Sequence, residues 1–154
     1  ISGSVEAFVD LMNQEAAKLG ATGSHFMNPN GLPDENHYTT VYDLYLIFQK
    51  AIQDETFYQL ISTSSYTTNY TGADGSAKTQ DWDSTNQYKT GESKLPDGFT
   101  LVGGKTGTTG DAGFCLVLLS NNASGQPVIS IVLKADCKSN LYLMMNEILA
   151  GCGN

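Results

Sequence analysis

A glycine-rich segment that also contains lysine and threonine is the part of the sequence best suited to chemistry. It reads Gly103-Gly-Lys-Thr-Gly-Thr-Thr-Gly110 and lies just before an apolar run. Phosphate loops use similar residues, but they require the spacing Gly-x4-Gly-Lys-[Ser/Thr] and lead into a helix. Here the spacing differs and the segment leads into a predicted strand, so nucleotide binding is not expected.

The two histidines suggest no catalytic or metal site. His25 and His37 have Asp34 and Glu35 nearby, but their spacing matches no helical pair of metal ligands. We therefore expect structural roles in an ordered loop, with neither a metal nor a cofactor. The tyrosines between Tyr38 and Tyr70 leave two interpretations open: a sugar-binding face, or half-buried positions on strands and helices.

The three cysteines are widely spaced and include no CxxC pair, so neither a disulfide framework nor a cysteine zinc site is predicted. Cys115 lies inside an apolar run, where it is expected to act as a small hydrophobic residue. A bridge between Cys137 and Cys152 is left open.

The composition argues against two classes of protein. Sixteen acidic residues oppose eight lysines, there is no arginine, and the formal net charge is −8. Nucleic-acid binding needs a basic face and is not expected. No run approaches the roughly 20 apolar residues of a membrane span, and the N-terminus shows no signal-peptide pattern. We expect neither a membrane span nor an export signal within this sequence.

Hydrophobic periodicity and capping residues predict the helices. The first runs from Val5 to Leu19 with Ser4 as its N-cap, and the second from Thr40 to Ile52. The apolar stripe of the second helix is Val41, Leu44, Tyr45, Phe48, Ala51 and Ile52. A short helix is predicted from Asp54 to Ile61. A C-terminal helix capped by Ser139 presents Leu141, Met144, Met145, Ile148 and Leu149 and ends at Gly151.

The strands fall into two chemically different groups. Residues 64–83 are rich in serine, threonine, tyrosine and asparagine, and they predict two polar edge strands joined by a turn. The apolar runs Phe114–Leu119 and Val128–Leu133 predict a hairpin that is buried on both faces, so helices should cover both sides. The strand containing Lys105 should lie beside Phe114–Leu119.

The triplet Lys105-Thr106-Gly107 resembles the third signature element of the penicillin-recognising serine enzymes, which combine Ser-x-x-Lys, Ser-x-Asn and Lys-Thr-Gly. Its flanks resemble the D-alanyl-D-alanine carboxypeptidases. Five more segments resemble that family, in the same order: Phe8-Val-Asp-Leu-Met-Asn13, Ala17-Lys-Leu-Gly20, His25-Phe-Met-Asn-Pro-Asn-Gly-Leu32, His37-Tyr-Thr-Thr-Val-Tyr-Asp43 and Ser84-Thr-Asn86.

The resemblance implies an α+β fold in which helices flank an antiparallel sheet, an incomplete β-lactamase/DD-peptidase (transpeptidase-like) fold. It also implies roles for the triplet. Lys105 supplies positive charge, Thr106 offers its hydroxyl to the substrate carboxylate, and Gly107 lets substrate lie against the strand. The backbone N–H of Thr108 is one oxyanion donor. Many relatives bind the carboxylate with an arginine after the last strand, where this sequence has only Lys138.

The resemblance also implies that residues 1–154 form a single partial domain. In the family, the nucleophilic Ser-x-x-Lys and the Ser-x-Asn element precede the first helix found here, and this sequence contains no Ser-x-x-Lys. Ser84-Thr-Asn86 has the spelling of the second element but lies too near Lys105 to replace it. We therefore expect the chain alone to be inactive, and to need the missing N-terminal portion.

Three hypotheses follow. The first is the C-terminal part of a D-alanyl-D-alanine carboxypeptidase that acts outside the bacterial cytoplasm on peptidoglycan stem peptides and binds β-lactams. The second is a class A β-lactamase fragment, for which Glu35 is the only candidate deacylating residue. The third is a non-catalytic cell-envelope module of the same fold. An isolated chain should expose apolar surface, which favours a homodimer.

Overall fold

A computed structural model describes residues 2–152, and these form five helices and five strands. Their order along the chain is α1 (Val5–Lys18), α2 (Val41–Ala51), α3 (Glu55–Ser62), β1 (Ser65–Thr71), β2 (Ala77–Asp83), α4 (Gln87–Thr90), β3 (Thr100–Thr109), β4 (Gly113–Asn121), β5 (Pro127–Ala135) and α5 (Lys138–Cys152). No helix within residues 2–152 is long and apolar enough to cross a bilayer.

The first three helices begin where their capping residues predict. The side chains of Ser4, Thr40 and Asp54 each accept a hydrogen bond from the backbone N–H three residues later. Such caps satisfy amide groups that the helix itself cannot pair, and each contributes about 1 kcal/mol. The starts of α1 and α2 were predicted from these caps because a cap is a local feature that the sequence displays directly, whereas α3 was predicted without its cap.

The prediction of the buried stripe of α2 was only partly correct. Phe48 is buried as expected, but Val41 is 49% exposed and Asp43 is only 4% exposed. The hydroxyl of Ser24 donates to Asp43 Oδ2 at 2.7 Å, which makes burial of this carboxylate acceptable. The contact ties α2 to the loop before it, and that loop is ordered as predicted.

The start of α5 and part of its buried face were predicted incorrectly. The helix begins at Lys138 rather than after Ser139, and the Sγ of Cys137 accepts the N–H of Asn140 at 3.5 Å. The helix also continues one residue beyond Gly151. Its buried residues are Leu141, Tyr142, Met145 and Leu149.

Met144 and Ile148 were predicted to lie on that face, but they are exposed. Tyr142 lies there instead, because its ring packs edge-on against Tyr88 at a centroid distance of 5.0 Å. Tyr88 belongs to α4, a short helix that the sequence did not predict.

The main sheet is antiparallel, with the strand order β3-β4-β5. Lys105 lies opposite Val117, and Val117 lies opposite Ile131, so the strand containing Lys105 is beside the first strand of the hairpin as predicted. Because side chains alternate along β4, Leu116 and Leu118 face one side and Val117 and Leu119 face the other.

Helices cover both faces of this sheet, which confirms the prediction from the two apolar runs. On one face, Leu116 and Leu118 pack with Val132 and with the buried residues of α4 and α5. On the other face, Leu119 packs with Phe48 of α2 and Ile61 of α3. The sheet is therefore the middle layer of an α+β arrangement and holds β3 rigidly in place.

The two polar strands pair with each other and not with the main sheet. Strands β1 and β2 form a separate antiparallel ribbon with Ser65 opposite Asp83 and Thr71 opposite Ala77. Nearly every residue in the ribbon is exposed. This confirms the prediction of a polar hairpin.

Candidate active site

Strand β3 carries the predicted catalytic triplet along an open edge of the main sheet. Within residues 2–152, β4 is the only strand neighbour of β3. Lys105, Gly107 and Thr108 are exposed, and Thr106 is partly buried. An open edge presents backbone N–H and C=O groups that can pair with an extended ligand, as in other cases of strand addition.

Two glycines before the triplet let β3 pack unusually close to its neighbours. A Cβ on Gly103 would lie 2.1 Å from the carbonyl oxygen of Ile61, and a Cβ on Gly104 would lie 2.5 Å from the carbonyl oxygen of Val117. The strand also has a bulge between Leu101 and Gly103. A Cβ on Gly107 would meet nothing within 4 Å, so the strand surface there is open to a ligand.

A cleft of about 580 Å³ lies beside the start of the triplet. It is lined by Lys105 and Thr106, by the end of α3, and by residues where β1 begins and β2 ends. The ammonium group of Lys105 hydrogen-bonds the carbonyl oxygen of Thr106. The cation is therefore held close to the strand while it remains exposed to the cleft.

A second cleft of about 400 Å³ brings together the residues that could bind an anion. Thr106 and Thr108 of β3 line it, and so does Lys138 from the start of α5. The structure thus places Lys138, which lies 30 residues after Thr108, beside the triplet. A lysine in the first turn of a helix is unfavourable for the helix dipole, since that end already carries partial positive charge. The same arrangement makes this cleft attractive to a carboxylate.

The second cleft is also lined by a buried tyrosine of α5. Tyr142 lines the cleft, and its hydroxyl oxygen accepts the backbone N–H of Gln87 at 2.8 Å. Burial raises the pKa of Tyr142, so the phenol stays protonated at physiological pH. Nearby, Asn140 donates to Asp136 at 2.7 Å, and this hydrogen bond lowers the pKa of that exposed carboxyl.

Thr85 is a residue of the site that the sequence did not reveal. Its hydroxyl hydrogen-bonds the hydroxyl of Thr106, and Thr85 lines both clefts. The next residue, Asn86, is 2% exposed and caps α4 by accepting the N–H of Tyr88 at 3.1 Å. This cap fixes the backbone beside Thr85. Ser84-Thr-Asn86 therefore supports the triplet from the side, although it does not replace the second signature element.

The residues considered for other chemistry lie elsewhere. His25 Nδ1 is 2.7 Å from the carbonyl oxygen of Asn36, and His37 Nδ1 accepts the N–H of Met27 at 3.1 Å, so both histidines hold the loop before α2. Within the described range, no group of three His, Cys, Asp or Glu side chains is placed to bind a metal. Glu35 is exposed and lines neither cleft beside β3.

The cysteines do not pair. All three are free. Cys137 precedes α5 and Cys152 ends it, so the helix separates them by about 22 Å at about 1.5 Å per residue. A disulfide requires Cα atoms within about 7 Å, so the bridge left open by the sequence does not form within this fold.

Comparisons with known proteins agree with the geometry. Residues 1–137 match the family described as D-alanyl-D-alanine carboxypeptidase. A D-alanyl-D-alanine carboxypeptidase of a Streptomyces species is 32% identical over 130 residues, covering 84% of this chain and 42% of the relative. DacF of Bacillus subtilis, with the same description, is 32% identical over 150 residues, covering 97% of this chain and 36% of the relative.

Solved structures show the same fold. The crystal structure of a Streptomyces DD-transpeptidase superposes with a TM-score of 0.77 at 29% identity, covering 96% of this chain and 52% of that one. The chain thus spans about half or less of the proteins it matches. The antiparallel sheet with helices on both faces is the corresponding part of the β-lactamase/DD-peptidase fold. From its sequence match and its fold together, this chain belongs to the D-alanyl-D-alanine carboxypeptidase family.

Proposed function

We propose that the chain forms one wall of the active site of a serine D-alanyl-D-alanine carboxypeptidase. In that reaction a serine oxygen attacks the carbonyl carbon of the penultimate D-alanine of a stem peptide. The terminal D-alanine leaves with a proton on its nitrogen, and water then hydrolyses the acyl-enzyme. The wall formed by this chain binds the carboxylate of the leaving residue and stabilises the oxyanion.

The observation that carries this proposal is the second cleft, where Thr106, Thr108 and Lys138 converge beside the open edge of β3. A substrate that ends in a carboxylate can accept a hydrogen bond from the Thr106 hydroxyl and pair with the ammonium of Lys138. Lysine acts here as a point charge, because it lacks the bidentate fork of arginine. We therefore expect binding of the carboxylate to depend more on the charge of Lys138 than on the angle at which the carboxylate approaches it.

The remaining roles follow from position on the strand. Lys105 places a cation in the larger cleft, next to where the nucleophile must act. Thr108 is exposed on β3, and in this proposal its backbone N–H is one oxyanion donor. One such donor contributes about 3 kcal/mol to transition-state stabilisation in serine hydrolases. Gly107 leaves room for the substrate backbone, since a Cβ at this position would meet no atom within 4 Å.

The nucleophile in this proposal comes from a segment outside these 154 residues. The sequence contains no Ser-x-x-Lys, and the curated relatives are more than twice as long as the region matched. The proposed substrate is the peptidoglycan stem peptide, with β-lactams as inhibitors, and the proposed location is outside the bacterial cytoplasm. The single partial domain of residues 1–154 is completed by that N-terminal segment.

Labelling with a fluorescent penicillin tests the proposal. The 154-residue chain alone should not be labelled covalently, because acyl transfer needs an activated nucleophile. A protein that joins this chain to the Ser-x-x-Lys segment should be labelled one-to-one and should release D-alanine from a D-Ala-D-Ala peptide. Stoichiometric labelling of the 154-residue chain would contradict the assignment, and Ser84 would then be the first candidate nucleophile.

A further inference from the structure

The ribbon of β1 and β2 has two chemically different faces. On one face the side chains hydrogen-bond each other across the strands. The hydroxyl of Thr67 donates to Asp81 at 2.6 Å, and the hydroxyl of Thr79 donates to Asn69 at 2.8 Å. The other face, which we call the aromatic face, consists of three cross-strand pairs: Tyr66 with Trp82, Thr68 with Gln80, and Tyr70 with Lys78.

The rings of the aromatic face are open to solvent. Tyr66 is 63% exposed, Trp82 is 60% exposed and Tyr70 is 47% exposed. Directly opposite residues on antiparallel strands have Cβ atoms about 5 Å apart, so the side chains of Tyr66 and Trp82 leave the same face at neighbouring positions. Exposed aromatic side chains grouped on one face commonly mark a place where another molecule binds.

This surface is continuous with the proposed active site. Tyr66 and Trp82 line the same cleft of about 580 Å³ as Lys105 and Thr106. Tyr70 lies four residues further along β1, about 13 Å away at about 3.4 Å per residue. A ligand that enters the cleft from the ribbon would therefore contact Trp82 and Tyr66 and could extend to Tyr70.

We infer that the aromatic face binds an amino-sugar glycan, the polymer to which stem peptides are attached. The choice of this glycan rests on the proposed function. A pyranose ring presents weakly positive C–H groups that pack on the negative face of an aromatic ring. Its hydroxyl and N-acetyl groups can hydrogen-bond the side chains of Thr68 and Gln80, which lie between the rings. An apolar ligand would instead desolvate these polar groups, and it could not replace the hydrogen bonds that they make with water.

Tryptophan fluorescence can test this inference on the 154-residue chain. Trp82 is the only tryptophan in the sequence, so the signal comes from the aromatic face itself. The chain is titrated with N-acetylglucosamine oligomers of one, three and five sugars. We expect a saturable change in emission, and an affinity that rises with oligomer length because the rings extend over about 13 Å.

Two variants separate this surface from exposed aromatic surface in general. Tyr66→Ala should weaken binding of the pentamer by about threefold to tenfold, the range expected when one aromatic contact is lost. Tyr42→Ala is the matched control, since Tyr42 is 66% exposed on α2 and its removal leaves Trp82 in place. It should leave the affinity unchanged. Circular dichroism establishes that both variants are folded.

The inference is overturned if the folded chain gives no fluorescence change with the pentamer, or if Tyr42→Ala weakens binding as much as Tyr66→Ala. It is also overturned if a D-Ala-D-Ala peptide changes Trp82 emission while the sugars do not, because the face would then be a peptide subsite. Penicillin labelling of the nucleophile-containing protein uses neither ring. If the chain binds no glycan but penicillin labelling is intact, this inference alone is contradicted. If the chain binds glycan but the nucleophile-containing protein is not labelled, the proposed function alone is contradicted.

Discussion

Lys105 provides the positive charge of β3 that faces the larger cleft, so its removal should affect acylation more than binding. In the nucleophile-containing protein, Lys105→Ala should slow acylation by penicillin about 100-fold to 1000-fold, a loss typical of preorganised charge stabilisation. The rate is measured by time-resolved labelling. Lys18→Ala is the control, because that side chain is 69% exposed and pairs only with Glu15, an interaction of little energetic value. A loss below threefold for Lys105→Ala would contradict the assigned role.

Thr85 should act through Thr106, whose hydroxyl it hydrogen-bonds. Thr85→Val removes the hydroxyl and keeps the shape of the side chain, whereas Thr85→Ser keeps the hydroxyl. We expect kcat/KM for a D-Ala-D-Ala peptide to fall about fivefold in the valine variant, the equivalent of one net hydrogen bond, and to stay near wild type in the serine variant. A loss in the serine variant with no loss in the valine variant would show that packing of the methyl group matters instead.

The sequence predicted candidate site residues only where they lie close to one another along the chain. Lys105, Thr106 and Thr108 lie on one strand, so a short motif was sufficient to predict them as candidates. Thr85 was missed because its partner is 21 residues away. The two hydroxyls meet only because Asn86 caps α4 and fixes the backbone next to Thr85. A helix of four residues gives no periodic signal that could have predicted this arrangement.

Within β3, Gly103 and Gly107 provide a contrast between packing and function. Gly103→Ala should lower stability by about 1–3 kcal/mol, because the added Cβ would clash with the carbonyl oxygen of Ile61. Gly107→Ala should leave stability almost unchanged, since its Cβ would enter open space. Thermal unfolding followed by circular dichroism measures both effects.

The Gly107→Ala variant also tests whether the open edge of β3 is a ligand site. In the nucleophile-containing protein, Gly107→Ala should slow penicillin acylation although the fold is intact, because a methyl group now projects where the ligand backbone lies. Acylation at the wild-type rate in a folded Gly107→Ala protein would contradict the proposed path of the substrate along β3.

The contact between α4 and α5 should make stability fall at alkaline pH. Burial, with a further contribution from Tyr142, raises the pKa of Tyr88 well above its ordinary value of 10.0. Below pH 10 the phenol of Tyr88 is protonated in both the folded and the unfolded chain, so the free energy of unfolding does not depend on its titration. Above pH 10 the unfolded chain loses the proton while the folded chain keeps it, so stability decreases as pH rises.

Urea unfolding between pH 9 and pH 12 tests this expectation. Tyr88→Phe should reduce the alkaline loss of stability, although it should cost about 1 kcal/mol at neutral pH because Tyr88 donates to Asn146 at 2.7 Å. Tyr42→Phe changes an exposed tyrosine and should leave the alkaline slope as it is. Identical slopes in all three proteins would show that Tyr88 titrates alike in both states.

The elements themselves were predicted where one local signal decides them. Caps predicted where α1 and α2 start, and the two apolar runs required helices on both faces of the sheet. The errors have tertiary causes. Tyr142 is buried because Tyr88 packs against it, and Asp43 is buried because Ser24 hydrogen-bonds it. Neither partner is near in sequence, so periodicity alone placed the buried faces of α2 and α5 incorrectly.

For the whole molecule, exposed apolar residues should lead to self-association. Large apolar side chains remain open to solvent on α1, α3 and α5: Val5, Leu11, Leu60, Leu143, Met144 and Ile148. We expect light scattering to give a mass near twice 16.5 kDa at micromolar concentration, as in a homodimer. A protein that also contains the N-terminal segment should be monomeric. A monomeric 154-residue chain would contradict the expectation.

The central position of β4 has a consequence for the order in which the molecule opens. Its backbone is paired on both sides, and its two faces are covered by separate cores, whereas nearly every residue of the ribbon of β1 and β2 is exposed. The three strands of the sheet are also consecutive in sequence, so their contacts close short loops and can form early in folding. In hydrogen–deuterium exchange, the amides of β4 should therefore exchange only through global unfolding, while those of the ribbon exchange through local openings and lose protection first.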